Sequence, residues 1–328
     1  MKELVVISGK GGTGKTCLVA CFAALAEKAV LADCDVDAAD LHLILEPRII
    51  RRESFSGGKR ARIVPDLCTS CGRCEEICRF GAISRDGTAN GKSPGRFSVD
   101  PISCEGCGVC AHLCPDKAIE FGPVINGEWF ISETRYGPMV HAKLGIAEEN
   151  SGKLVSTVRT EARKLAEQRG LEVAIIDGSP GIGCPVIASI TGADLVLVVT
   201  EPTLSGQHDL TRVADLTSHF GIPTLVCINK WDINPEITSQ IELQALSRRL
   251  RLAGRIRYDR SVTEAMMQEK AVVEYQDQGC AEDIRCVWRE IRLALLNPGQ
   301  SDSARKTAGM PASGSGDGSP RASQDHDS

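Results

Sequence analysis

Eight of the fifteen cysteines in this chain fall into two runs of identical spacing: Cys68, Cys71, Cys74 and Cys78, then Cys104, Cys107, Cys110 and Cys114. The pattern C-x2-C-x2-C-x3-C, met twice, is the spacing of a polypeptide that holds two cubane iron–sulfur clusters. Thiolate is the natural ligand of iron in such clusters, and close spacing in a loop lets three sulfurs converge on one cubane. Zinc sites use pairs of cysteines with a longer spacer, which this pattern fits poorly. The runs belong to a longer repeat, because CTSCGRCEEICRFGAI (Cys68 to Ile83) aligns with CEGCGVCAHLCPDKAI (Cys104 to Ile119) at one constant offset. Two such halves pack with pseudo-twofold symmetry, and the fourth cysteine of each run then serves the cluster of the other half. Cys68, Cys71, Cys74 and Cys114 are therefore expected to hold one [4Fe-4S] cluster; Cys104, Cys107, Cys110 and Cys78 hold the second. Cys78 is followed by Arg79 where Cys114 is followed by Pro115, and that charge can alter the potential of the second cluster.

Before the cysteines stands a different chemistry. Gly9, Lys10, Gly11, Gly12, Thr13, Gly14, Lys15 and Thr16 satisfy G-x-x-x-x-G-K-[ST], with an apolar strand before and an Ala/Leu-rich helix after. The glycines let backbone N–H groups turn toward phosphate oxygens, and the helix N-terminus adds a favourable dipole. Lys15 is placed to reach the β- and γ-phosphates, and the Thr16 hydroxyl to ligate magnesium. Two acidic positions follow strands, Asp35 and Asp177. Together with Lys10 they complete the positioning and charge neutralisation that phosphoryl transfer requires, so the residues alone read as a magnesium-dependent nucleoside triphosphatase. As an isolated aspartate, Asp35 fits an outer magnesium contact as well as a water-positioning role.

The loop KGGTGKT, with Lys10 ahead of the paired glycines, resembles that of the MinD/ParA-type ATPases. The resemblance covers roughly residues 2–45 and 150–295, and it extends to family members with an inserted ferredoxin domain, such as those of orange-protein-complex type near metal-cofactor genes. It implies that Lys10 crosses the interface of a nucleotide-sandwiched homodimer to reach the partner's phosphates. Asp33-Cys34-Asp35 is similar to the family's D-x-D switch, in which the second Asp, here Asp35, orients the attacking water. Val173 to Asp177 is similar to its apolar strand ending in a magnesium-supporting Asp, and Asn229 to its base-contacting Asn. Asn229-Lys230-Trp231-Asp232 also satisfies the guanine-reading N-K-x-D pattern, while Lys10 points to the ATP-using branch. ATP, Mg2+ and two [4Fe-4S] clusters are the implied cofactors.

These residues need a scaffold, and the rest of the chain supplies one. It has 328 residues, 42% hydrophobic but only 4% aromatic, and a net charge of −5. Such a composition suits an aliphatic parallel-sheet core and gives no reason to expect nucleic-acid binding. Strands are expected at Leu4–Ser8, Val30–Ala32, Val173–Ile176, Leu195–Thr200 and Thr224–Ile228, alternating with helical segments that include 15–28 and 153–168. That order is the mark of an α/β fold, a mostly parallel sheet with helices on both faces. The cysteine region interrupts it as an inserted α+β ferredoxin-like module. The expected organisation is ATPase 1–60, ferredoxin module 61–125, ATPase 126–297 opening with a hairpin of Trp129–Thr134 and Pro138–Leu144, and a disordered Ser/Gly/Asp/Pro-rich tail 298–328. MKELVVIS runs straight into the phosphate loop and no apolar stretch is long enough to span a membrane. Clustered cysteines then read as metal ligands in a cytoplasmic protein.

Other features carry plainer expectations. Cys184, in the loop GSPGIGC, is expected to be a small buried thiol, and Cys17, Cys21, Cys34, Cys227, Cys280 and Cys286 core or surface thiols. His112 is expected to be exposed. The basic stretch from Arg48 to Arg62 reads as a solvated linker, with docking of an acidic partner as the alternative. Val287, Trp288, Ile291 and Leu295 lie at helical spacing and suit core packing better than membrane contact. Because the module enters shortly after Asp35, the functional expectation is an ATP-gated iron–sulfur protein that delivers electrons, or handles metal cofactors, on a partner. The alternative is a scaffold ATPase whose clusters are structural or redox-sensing.

Overall fold

Apolar β-branched runs form strands wherever the expected alternation places them. The computed structural model describes residues 1–85, 95–145 and 151–297; the tail from Pro298 lies outside the described residues. In chain order the first strands are β1 (Lys2–Ser8), β2 (Ala29–Asp33), β3 (Arg48–Phe55), β4 (Gly58–Ile63), β5 (Ile83–Arg85), β6 (Phe97–Val99) and β7 (Ile119–Val124). They are followed by β8 (Gly127–Thr134), β9 (Gly137–Leu144), β10 (Val173–Pro180), β11 (Leu195–Thr200), β12 (Thr224–Asn229) and β13 (Arg251–Ile256). Nine of these make one sheet in the order β13-β12-β11-β1-β10-β2-β9-β8-β3. It is parallel from β13 to β9 and antiparallel across β9, β8 and β3.

The central strands are buried on both faces, so they read as continuous apolar runs. Leu4 and Val6 face a helix layer that includes Lys15–Leu25 and Cys280–Leu296, while Val5 and Ile7 face Ser151–Arg169, Leu204–His219 and Pro235–Ser247. The C-terminal amphipathic helix spends its apolar stripe on this core: Ile284, Val287, Trp288, Ile291 and Leu295 are buried, and Trp288 stacks on Phe22 with ring centroids 5.4 Å apart. Among the described residues no helix is long and apolar enough to cross a membrane.

The basic stretch departs from expectation. It is not a linker but two strands: β3 forms the edge of the large sheet, and β4 pairs with β7 in the inserted module. Arg51 lies over Trp129 and Arg52 over Phe130, with Arg52 also paired to Glu128. Charged side chains on an edge strand keep that edge from pairing with another chain. β4 runs across the expected boundary at residue 60, and the module hangs from a neck of two short links, 56–57 and 125–126. Buried Asn126 ties the neck together. Its N–H donates to the Phe55 carbonyl at 3.0 Å, its Oδ1 accepts from the Gly57 N–H at 2.6 Å, and its carbonyl accepts from Gly145 at 2.7 Å.

Within the module the repeat shows in the backbone. Left-handed φ values recur at one offset, at Ser70 and Gly106, Gly72 and Gly108, and Gly81 and Lys117.

The Phe22–Trp288 stack locks the C-terminal helix to the helix that follows the phosphate loop. Phe22→Ala is expected to destabilise the protein by about 3–5 kcal/mol, measured by equilibrium denaturation.

Candidate functional site

The phosphate loop leaves β1 at the C-terminal edge of the parallel sheet, where ligands of open α/β folds bind. Gly14 has φ 88°, and a Cβ there would meet the Asn229 amide nitrogen at 2.4 Å, so only glycine fits. Gly9 is as confined, by Asp209. Gly11 and Gly12 are exposed, Thr16 is half-buried, and Thr13 and Lys15 are buried. Asn229 spends its side chain on the loop: Nδ2 donates to the Thr13 carbonyl at 2.8 Å and Oδ1 accepts from the Lys230 N–H at 3.0 Å. The resemblance assigns Asn229 to the base; the structure shows it as a clamp on the phosphate loop. Asp232, the last residue of the N-K-x-D pattern, accepts the Tyr258 N–H at 2.6 Å.

Three carboxylates converge on Lys15. Its ammonium hydrogen-bonds Asp177 Oδ1 and lies 3.3 Å from Asp35 Oδ2. Asp33 Oδ1 accepts the Asp35 N–H at 3.2 Å. The register β1-β10-β2 makes this convergence, since Asp177 pairs with Val6 on one side and Asp33 on the other. Backbone and side-chain bonds then tie the loops to one another: Cys34 donates to the Asp177 carbonyl, Ser179 Oγ to the Cys34 carbonyl, and Gly181 to the Ser8 carbonyl, each at 2.8 Å. Burial acts to lower the Lys15 ammonium, but the charges of Asp177 and Asp35 outweigh it and the net shift is upward. Burial raises Asp35. It raises Asp33 well above the usual carboxylate range, with the Asp177 charge adding to the effect.

Among the described residues, Thr13 Oγ1, Asp33 Oδ2 and Asp177 Oδ2 are buried without a hydrogen-bond partner. Orphaned oxygens beside a buried ammonium and a half-buried threonine hydroxyl fit a magnesium–phosphate group. Lys10 points elsewhere, to Glu201.

The cysteines gather in two small cavities. One is lined by Cys68, Cys71, Cys74 and Cys114, the other by Cys78, Cys104, Cys107 and Cys110. Each thus takes three thiols from one half and the fourth from the other. Cys71 and Cys107, equivalent in the repeat, are exposed. Ile63 and Phe97 close the first cavity, Ile77 and Val99 the second. Four thiols around an apolar-walled cavity fit a [4Fe-4S] cluster. Among the cysteines outside the runs, burial pushes Cys21 and Cys227 up to about 12 and Cys280 to about 11, keeping them inert thiols. Cys184 corrects its expectation: it is exposed at the first turn of the short helix Cys184–Ile190. His112 is exposed, as expected.

The model of the 4Fe-4S dicluster domain matches residues 67–118. The uncharacterized protein MJ0578 of Methanocaldococcus jannaschii is 34% identical over 242 residues, which cover 71% of this chain and 79% of that protein. The solved structure of the cell division ATPase MinD from Pyrococcus furiosus is similar in fold, with a TM-score of 0.52 at 16% identity over 89% of this chain and 98% of that one. The chain belongs to the same family as MJ0578, and its fold is that of MinD interrupted by a 4Fe-4S dicluster domain. A MinD from Pyrococcus horikoshii, solved with Mg-ADP, shares the fold at the same TM-score of 0.52 and 16% identity, over 89% of this chain and 97% of that one. The inserted domain carries the two-cluster motif, and the surrounding sheet has the fold of these MinD structures.

Sequence reasoning missed Glu201 and Asn126. Only position signals Glu201, at the C-terminal end of a parallel strand; nothing in the sequence signals Asn126.

Two outcomes follow from this geometry. A carboxyl raised in the folded state holds its proton more tightly folded than unfolded, so stability falls as pH climbs from the ordinary carboxylate value through the folded one. Nucleotide-free Asp33→Asn should therefore melt above the wild type at pH 7, the gap closing toward about pH 4 in thermal melts. In the module, Cys114→Ala should remove about four of about eight irons, and the lost cluster should be the one seated by Cys68, Cys71 and Cys74, seen by iron analysis and electron paramagnetic resonance.

Proposed function

We propose that this protein binds and hydrolyses ATP with Mg2+ and that turnover gates electron delivery, or metal-cofactor handling, on a partner protein. The observation that carries this reading is the buried Lys15 ammonium between Asp177 and Asp35, Asp35 lying on the segment that runs through the helix Leu41–Leu45 and β3 to the cluster module. Lys15 leaves these carboxylates for the β- and γ-phosphate oxygens. That exchange frees Asp177 to support the metal beside the Thr16 hydroxyl and frees Asp35 to orient the attacking water. Bound Mg2+ supplies charge neutralisation at the phosphates. The backbone of Gly9 to Gly14 holds the phosphates, and Asn229 fixes the loop's curvature from beneath. Lys10 completes the phosphate site of a second copy in an ATP-bound homodimer.

The route to the module is short. From Asp35 the chain passes through the helix Leu41–Leu45, whose Leu41, Ile44 and Leu45 are buried, and then into β3 and the neck. A change at Asp35 therefore reaches the module through packed elements instead of a loose linker. Eight cysteines arranged for two permanent clusters suit one-electron transfer, at a potential in the ferredoxin range of about −400 mV. Asp232, already engaged by Tyr258, supports ATP over GTP.

Anaerobic ATP hydrolysis, measured with the clusters oxidised and then reduced, tests the coupling. The two rates are expected to differ, and Lys15→Ala to lose about a hundredfold or more of the turnover. Equal rates would leave the clusters without control over the ATPase and favour a scaffold.

A further inference from the structure

Two cations border the phosphate loop, and one carboxylate holds both. Lys10 Nζ lies 2.7 Å from Glu201 Oε1, 2.9 Å from Ser205 Oγ and 3.4 Å from Thr203 Oγ1. Lys230 Nζ lies 3.5 Å from the other oxygen, Glu201 Oε2, and 3.3 Å from the Gly12 carbonyl. The Glu201 side chain is only 16% exposed, while those of Lys10 and Lys230 are 34% and 30% exposed. Glu201 is also well anchored. It follows β11 directly, its carbonyl accepts the Thr203 N–H at 2.8 Å, and Thr203 Oγ1 caps the helix Leu204–His219 through the Gly206 N–H at 3.0 Å.

A loop shaped for phosphates concentrates positive charge, and in the nucleotide-free protein that charge has to be balanced by something. Glu201 supplies the balance from the neighbouring strand end. The same position makes it a competitor. A triphosphate entering the loop brings several negative charges toward ammonium groups already held by a carboxylate, and that carboxylate also repels the incoming phosphates. We propose that Glu201 is a positioning residue that stands in for phosphate. It parks Lys10 and Lys230 in the nucleotide-free site and has to surrender Lys10 when a triphosphate binds. Triphosphate affinity is thereby held below what the loop itself could reach, and the nucleotide must carry enough phosphate charge to win the exchange. The inference rests on the reading of Gly9–Thr16 as a triphosphate site.

The test titrates the full-length, cluster-loaded protein anaerobically with the non-hydrolysable analogue adenylyl imidodiphosphate and Mg2+, then with ADP and AMP. Glu201→Gln keeps the shape of the side chain and removes its charge. It is expected to tighten the triphosphate analogue at least about fivefold, ADP less, and AMP not at all. A general structural effect would not grade with phosphate number. In a Lys10→Ala background the same substitution should lose most of its effect, which the double-mutant cycle reads as coupling. Ser205→Ala removes a second acceptor of Lys10 without touching the carboxylate, and should shift the analogue in the same direction by less. It carries the test if Glu201→Gln does not fold. Unchanged or weakened analogue binding in the folded variants, or an equal gain with Lys10→Ala, overturns the proposal while leaving the nucleotide site intact. Failure of the wild type to bind the analogue at all removes both.

Discussion

Everything at the nucleotide edge depends on one buried charge. Lys15 places an ammonium where water is nearly absent, and such a charge persists only with close counter-charges. Asp177 and Asp35 provide them, with Asp33 behind. These carboxylates come from two strands whose order in the sheet differs from their order in the chain. The parallel register of β1, β10 and β2 is therefore a condition for the site, and the aliphatic core on both faces keeps that register. The cluster holds more negative than positive charge, and leaves buried oxygens without partners. Those features are costly to an empty protein and useful to one that binds a cationic metal and phosphate, as functional sites commonly are.

The second constraint is the neck. A module hung on two free strands of polypeptide would move independently of the α/β domain. Here β3 and β8 pair with each other in the large sheet, β4 and β7 pair in the module, and Asn126 ties the two links together by two hydrogen bonds, to Phe55 and Gly57, and holds Gly145 by a third. The module thus prolongs the sheet's edge, on the segment that begins at the D-x-D aspartates. Coupling between sites needs packed elements, and the proposed coupling would run through this connection.

Motifs whose residues are contiguous in sequence were legible as patterns. The phosphate loop curls within eight residues, and each cysteine run gathers three thiols within seven, so pattern and chemistry coincide. The strands Leu195–Thr200 and Thr224–Ile228 were legible because a strand buried on both faces has to be apolar throughout. β3 was not. Its arginines look like linker residues until Trp129, Phe130 and Glu128 on β8 give them a surface, and those partners lie more than seventy residues away in the chain. Cys184 was expected inside because thiols usually are; the turn from β10 into a short helix puts it outside.

By itself, then, the sequence determined the phosphate-loop and two-cluster patterns, the α/β class and the interruption of one domain by another, since each is written in contiguous residue types. The tertiary structure alone decided that Lys15 meets Asp177 and Asp35, that Asn229 clamps the loop, that Glu201 holds Lys10 and Lys230, and that Asn126 makes the neck. Those are pairings of single polar residues across strands and loops far apart in the chain. No periodicity marks such residues, and only the sheet's register brings them within hydrogen-bonding reach.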